Sequence, residues 1–253
     1  MILGATKPGN MGEAIARRFA DEGASLVLAG RDLDGLNRLS STLSKDRMSA
    51  VESCDISDEA QVAGLARGLI KKGITVDIIV NAVGVTASVP LEEASQEKLD
   101  WLMRVNLQGP VFIIKHLCPL MQRGGSVIMI SSTTAASHKY TPTRIPYIVS
   151  KTALNRLVQA SAIELGQQGI QINAIAPGLV ITPMGAAAVG DLGAQLEHRL
   201  LQKTPLGRLA TVADIASTAL FLAGGSYFDT GQIIEVNGGF SLMDNGFLLN
   251  SEK

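Results

Sequence analysis

The sequence predicts a doubly wound α/β fold in a single domain, with a seven-stranded parallel sheet wrapped by helices on both faces. Three observations lead there. Short runs rich in Val and Ile alternate along the 253 residues with longer stretches of helical period. The runs are nearly continuous apolar sequence, without polar alternation, as in strands covered on both faces. A glycine-rich turn follows the first run and opens directly into an amphipathic segment, the order of a Rossmann nucleotide-binding unit.

The strand candidates are 1–3, 25–29, 48–51, 76–80, 126–131, 171–176 and 232–236, with helical segments such as 13–21 and 60–71 between them. Only three residues precede Gly4, where a central strand usually has about five or six. Either that strand is short or native residues precede Met1. No repeat, charge block or Pro/Gly-rich linker divides the chain, so 1–253 reads as one domain. Within it 185–203, beginning with Gly185, Ala186, Ala187 and Ala188, reads as a mobile substrate loop.

Composition excludes several classes. Hydrophobic residues make up 46% and charged residues 18%, which is enough apolar surface to offset the entropy of ordering the chain. The net charge is -1 and no basic run stands out, so neither nucleic acid nor an anionic membrane is an expected partner. No apolar run reaches the roughly 20 residues of a membrane span. Met1-Ile2-Leu3-Gly4 does not resemble a signal peptide, and the expected address is the cytoplasm. Cys54 and Cys118 read as small buried hydrophobes, and His116 and His198 stand in no metal-ligand spacing, so no metal is expected.

The glycine turn is Gly4-Ala5-Thr6-Lys7-Pro8-Gly9-Asn10-Met11-Gly12. Glycine lets a backbone bend tightly and approach a pyrophosphate, and a helix N-terminus offers unpaired N–H groups to it. The spacing is not GxGxxG, so the turn alone also fits an ordinary strand-to-helix connection. Ala29-Gly30-Arg31-Asp32 closes the second strand, where a ribose-binding group is expected. Arg31 can neutralise a 2′-phosphate and Gly30 opposes it with no carboxylate, which favours NADP(H) with NAD(H) possible. Arg31 equally fits a solvated residue at a helix start. Asp55, in Cys54-Asp55-Ile56, can accept a hydrogen bond from an adenine amino group; alternatively Asp55 or Ser57 simply caps the helix beginning near Asp58. Asn81-Ala82-Val83-Gly84 ends the fourth strand, either as part of a ligand-binding edge or as a tight turn.

Tyr147 and Lys151 lie four apart in a segment of helical period, hence on one face. A phenol is a poor base at neutral pH, but a neighbouring ammonium stabilises its phenolate and makes proton transfer practical. Such pairs arise often by chance. The fifth strand ends at Ile130-Ser131-Ser132, however, and Ser132 brings a hydroxyl to the same carboxyl edge, able to hydrogen-bond a reacting oxygen.

In this order the glycine turn, Asn81-Ala82-Val83-Gly84, Asn106, Ser132, Tyr147-x-x-x-Lys151 and Asn173-Ala174-Ile175-Ala176-Pro177-Gly178 resemble the short-chain dehydrogenase/reductase family. Thr230-Gly231-Gln232 and Val236-Asn237-Gly238-Gly239 complete the likeness. It spans essentially the whole chain and points to the 3-oxoacyl-(acyl carrier protein) reductase-like branch. It implies an NAD(P)(H)-dependent oxidoreductase that interconverts a secondary alcohol and a ketone. Tyr147 is then the acid/base, Ser132 orients the substrate, Lys151 lowers the phenol's pKa and binds ribose hydroxyls, and Asn106 holds a water in the proton relay. The cofactor set it implies is Gly4, Thr6, Lys7, Asn10, Met11, Gly12, Arg31, Asp55, Ile56, Asn81, Ala82, Val83, Gly84, Tyr147, Lys151, Pro177, Gly178, Val180 and Thr182. Thr134, His138 and Met184 are the implied substrate contacts, and a homotetramer or homodimer the implied assembly. A cofactor-sensing binding protein with little turnover is the alternative, against which the intact catalytic residues argue.

Three departures stand out. The glycine turn is longer than the family's TGxxxGxG, leaving open whether Gly9 or Asn10 faces the pyrophosphate. Ala82 and Val83 replace residues of the common Asn-Asn-Ala-Gly. The stretch between Ser132 and Tyr147 is also long and contains His138, Lys139, Tyr140 and Arg144. That loop is expected to flank the substrate, with His138 and Arg144 either contacting an anionic group or standing as exposed loop side chains.

Overall fold

The computed structural model describes residues 1–136, 144–180, 182, 200–224 and 229–243. Seven strands form one sheet, β1 (Ile2–Leu3), β2 (Leu26–Gly30), β3 (Met48–Ser53), β4 (Val76–Asn81), β5 (Met121–Ile130), β6 (Gln171–Pro177) and β7 (Ile233–Val236). Their order across the sheet is β3-β2-β1-β4-β5-β6-β7. Every pairing is parallel, as the continuous apolar runs predict. β1 is short, but Val80 N donates to Met1 O and Ala82 N to Leu3 O, so the pairing runs from Met1, before β1, to Ala82, after β4.

Alternation within the strands divides the core in two. Leu3, Val27, Ala29, Ile79, Val127 and Met129 face one helical layer, built from α3 (Glu59–Lys71), α5 (Gly109–Leu117) and α7 (Ile145–Gln167). Ile2, Leu26, Leu28, Val80, Ile128 and Ile130 face the other, built from α1 (Met11–Asp21), α2 (Leu33–Thr42) and α8 (Val212–Ala223). Coverage on both faces therefore holds for the central strands. It fails at the edge strands β3 and β7, whose residues are mostly half-buried or exposed, because each has a neighbour on one side only.

The remaining helices are α4 (Gln96–Met103) and α6 (Thr133–Ala136). A π-helical turn, Arg104–Gln108, joins α4 to α5. Pro110 lies in the first turn of α5 and has no N–H for the carbonyl of Asn106 four residues back, so regular α pairing cannot run through this point. β5 begins five residues earlier than its apolar run, because the half-exposed Met121 already pairs with Val76. The first strand's crossover on one side and β4 on the other make the β1/β4 junction the point where the winding reverses. Ligands of doubly wound sheets bind at the carboxyl ends of the strands flanking such a point.

Candidate active site

The glycine turn is built around two close approaches. Gly4 has φ +95°, and a Cβ on it would lie 2.9 Å from the backbone of Ala82. A Cβ on Gly12 would sit 2.6 Å from Gly4 O, so the first turn of α1 is pressed against the end of β1. Gly9 has φ +71° with open space beside it, and its N–H donates to Glu13 Oε2 at 2.8 Å. Asn10 caps α1 by accepting from Glu13 N at 2.8 Å, and its Nδ2 donates to Gly4 O at 2.8 Å. Gly9 N–H and the Asn10 side chain are thus engaged within the loop. Among the described residues, the N–H groups of Met11 and Gly12 are left in the first turn as donors for an anion. Glu13 also holds Arg17 at 2.7 Å, which offsets a carboxylate beside a phosphate site; the sequence reading did not include it.

Beyond the turn lies a cleft of about 230 Å³ lined by Lys7, Glu13, Arg17, Gly35 and Arg38, among others. Arg38 Nη2 donates to Thr6 O at 2.9 Å, tying α2 to the loop. A Cβ on Gly30 would meet Thr6 Cγ2 at 2.9 Å, so a side chain there would require Thr6 to turn aside. Asp32 caps α2 through Gly35 N. Arg31 is exposed on the same rim, 3.7 Å from Asp55 Oδ2. The helix-capping alternative for Asp55 and Ser57 is corrected: Asp58 caps α3, accepting from Ala60 N and Gln61 N. Asp55 instead takes Ser57 N at 2.9 Å and Ser57 Oγ at 2.7 Å, because it lies three residues before the N-cap position, too early to reach the helix's first N–H groups. The Ile56 side chain is core, packed beneath Gly109, leaving only its backbone for a ligand.

At the end of β4 the buried Asn81 accepts from Val83 N at 3.1 Å and turns the chain, while Val83 packs on the core. Gly84 follows against the catalytic candidates. A Cβ there would lie 3.0 Å from Lys151 Nζ and 3.5 Å from Asn106 Oδ1. Asn106, 1% exposed, clamps the next residue from both sides, with Val85 N donating to Oδ1 and Nδ2 donating to Val85 O, each at 2.9 Å. Its Nδ2 also donates to Ser150 Oγ at 3.0 Å, and Ser150 donates to Tyr147 O at 2.7 Å. One buried chain of hydrogen bonds therefore runs from the loop after β4 through the π-turn to the backbone of Tyr147.

Tyr147 and Lys151 share the buried face of α7. The Ser132 hydroxyl stands close enough to the Tyr147 phenol to favour its ionised form and lies 2.9 Å from Thr134 Oγ1. Burial pushes the phenol above its ordinary value, against the Ser132 hydroxyl and the Arg144 guanidinium, which pull it down. Lys151 Nζ donates to Ile130 O at 2.8 Å, and burial lowers its ammonium to about 8. The expected lowering of the phenol by Lys151 is thus not what the protein's own groups produce. The ammonium is turned to a strand carbonyl, and the cation acting on the phenol is Arg144. Arg144 is no exposed loop side chain: it is half-buried with its guanidinium carbon 4.9 Å from the Tyr147 ring centroid.

Behind the site, Ser131 Oγ donates to Asn155 Oδ1 and Thr133 Oγ1 donates to Ala176 O at 3.0 Å, fixing the segment that carries Ser132. Gly178 N donates to Val236 O, Val180 forms an isolated bridge to Ala210, and Thr182 is buried, so the segment after β6 runs on beside β7. His138, Met184 and His198 lie outside the described residues, as does most of 185–203. His116 pairs with Glu59 at 3.0 Å on the surface. Cys54 and Cys118 are buried free thiols pushed up by burial to about 11 and about 12. Among the described residues there is no cluster able to hold a metal and no helix long and apolar enough to cross a membrane.

The cradle fits a dinucleotide: two glycines whose backbone neighbours admit no Cβ, two free N–H groups at a helix start, and a hydroxyl, phenol and ammonium at the same sheet edge. The class is a dinucleotide-dependent oxidoreductase. The family model described as "Enoyl-(Acyl carrier protein) reductase" matches residues 4–241. The chain is 30% identical to gluconate 5-dehydrogenase of Gluconobacter oxydans, over 96% of this chain and 94% of that protein. It is 29% identical to the 3-oxoacyl-[acyl-carrier-protein] reductase FabG of Staphylococcus aureus, over 94% of this chain and 96% of that one. A gluconate 5-dehydrogenase from Burkholderia cenocepacia, solved in complex with NADP and tartrate, superposes with a TM-score of 0.87 at 29% identity, covering 95% of this chain and 94% of its own. The chain belongs to the short-chain dehydrogenase/reductase family.

Proposed function

We propose that the protein is an NADP(H)-preferring alcohol dehydrogenase or carbonyl reductase in which Tyr147 is the general acid/base. The observation that carries this is Lys151 buried one helical turn from Tyr147 on the same face of α7, with the Ser132 hydroxyl close enough to the phenol to favour its ionised form. Met11 and Gly12 N–H groups would hold the pyrophosphate. Lys7, Arg31 and Arg38 give the ribose rim the positive charge a 2′-phosphate needs. When bound, the dinucleotide supplies or accepts the hydride.

The chain's own groups handle the oxygen and its proton. In reduction Ser132 Oγ and Tyr147 Oη both donate to the substrate carbonyl oxygen, fixing its position, and the phenolic proton passes to that oxygen as it gains charge. In oxidation the same oxygen returns its proton to the phenolate. Lys151 uses one ammonium N–H on Ile130 O and has others for ribose hydroxyls and for the developing phenolate. The side chain of Asn106 is fully engaged with Val85 and Ser150. Its part in a water relay therefore falls to its backbone carbonyl, which Pro110 deprives of an α-helical donor. Thr134, beside Ser132, would contact substrate.

The relatives act on gluconate and on 3-oxoacyl carriers by name, so relationship supports the reaction type and not the substrate. Exposed Val149 and Ile163 on the outer face of α7 support a homotetramer or homodimer, each apolar residue being covered by a copy. The test is a panel of ketones and secondary alcohols assayed with both cofactors, on the parent and on Arg31→Ala. At least one pair should turn over, with NADP(H) preferred by roughly tenfold, and Arg31→Ala should weaken NADP binding more than NAD binding. Equal losses would remove the 2′-phosphate reading. Dinucleotide binding without hydride transfer across the panel would make the protein a cofactor sensor.

A further inference from the structure

The acid/base set does not account for Arg144. It stands at the N-cap position of α7 without capping the helix, and one of its guanidinium nitrogens donates to Thr86 Oγ1 at 3.0 Å. Thr86 directly follows Val85, the residue Asn106 clamps. The guanidinium is therefore held between the two segments that build the site, with its carbon 4.9 Å from the Tyr147 ring centroid. Arg17, Arg18 and Arg208 each pair with a carboxylate. Among the described residues no Asp or Glu pairs with Arg144, although a guanidinium carries five N–H donors. A guanidinium over an aromatic ring is weakly hydrated and keeps N–H groups for a planar anion, so it stands ready for bidentate recognition.

We propose that Arg144, steadied by Thr86, is a substrate-specificity residue that binds a carboxylate, and that the substrate is a hydroxy acid or the matching oxo acid. The proposal rests on the reading of Tyr147 and Ser132 given above. Its reach is set by geometry: a substrate oxygen hydrogen-bonded to the phenol at about 2.7 Å leaves the guanidinium facing groups within a few carbons of the reacting centre. A charged partner there also compensates a half-buried cation that the described residues leave without an opposite charge.

The test pairs short hydroxy acids with their methyl esters, for example 3-hydroxybutyrate and methyl 3-hydroxybutyrate, extended to 2- and 4-hydroxy acids. The readout is the ratio of kcat/KM, acid to ester. Acid and ester share Tyr147, so any change in phenol acidity cancels in the ratio. The parent should favour the best acid by about tenfold or more, Arg144→Gln should bring the ratio to about one or below, and Arg144→Lys should recover part of it. Thr86→Ala should lower it less. A parent that prefers esters, or a ratio that Arg144→Gln leaves unchanged, would overturn the proposal. Should no compound turn over, the reading of the acid/base site fails separately, and calorimetry on the NADP-loaded protein still decides this one. The hydroxy acid should then bind the parent and not Arg144→Gln, and equal or absent binding to both would overturn it.

Discussion

Lys151 is 4% exposed and meets a carbonyl, not an anion, so the fold holds a cation it would hold more easily neutral. The ammonium, at about 8 in the fold against an ordinary 10.5, gives this a definite sign. The unfolded chain keeps the proton up to the higher value and the folded chain only up to the lower one. Burial therefore costs stability below about pH 8, and that cost fades as pH rises toward 10.5. A shift of this size corresponds to about 3 kcal/mol, offset by about 1 kcal/mol for the hydrogen bond to Ile130. Lys151→Met should accordingly be more stable than the parent at pH 7 by on the order of 2 kcal/mol while losing turnover, and the gap should close by pH 10.5. Urea melts of both proteins across that range measure it. A variant less stable at pH 7, or a gap independent of pH, would show that Lys151 is well accommodated. Tyr147 complements this. Burial keeps its phenol protonated at neutral pH, which suits the acid role in reduction, so oxidation is expected to speed up as pH rises.

Among the elements, the π-turn Arg104–Gln108 does what no single catalytic residue can. It places one asparagine where its side chain grips Val85 on both polar atoms and reaches Ser150 in α7. Asn106→Ala leaves the backbone N and O of the partly buried Val85 and the buried Ser150 hydroxyl without their bonds to this side chain. It should cost about 2–4 kcal/mol, against about 1 for Ser150→Ala, which leaves the Val85 clamp intact. Denaturant midpoints of the two variants give the comparison, and equal losses would mean that the clamp carries little. Such devices bear on how far sequence reached. β2, β4 and β6 lie within a residue or two of their apolar runs, because buried parallel strands announce themselves by composition. The start of β5 did not, since Met121 to Gly124 pair at the surface without an apolar signature. Asn106, Ser132, Tyr147 and Lys151 could be read as a motif. Ser131 with Asn155, or Arg144 with Thr86, could not, because contacts 24 and 58 residues apart leave no local pattern. Arg38 gave no signal either: its bond to Thr6 O depends on how α2 packs beside the glycine turn.

For the molecule as a whole, the parallel sheet brings distant segments to one edge. On the proposed reading the turn after β1 and the rim after β2 would hold phosphates. The end of β4, Ser132 after β5 and the start of α7 would handle the oxygen, and the segment after β6 continues beside β7. Two functions sit side by side on separate residues, which makes them separable. The proposed cradle would depend on glycines, Met11, Gly12 and the basic rim, whereas the proposed proton transfer would depend on a phenol 9% exposed whose loss removes one hydroxyl from a buried face. The most direct test is therefore Tyr147→Phe, with NADP(H) affinity measured by calorimetry and turnover on the best substrate of the panel. The account predicts cofactor affinity within about threefold of the parent and kcat lower by about 10² to 10⁴. Turnover undiminished in Tyr147→Phe would contradict it.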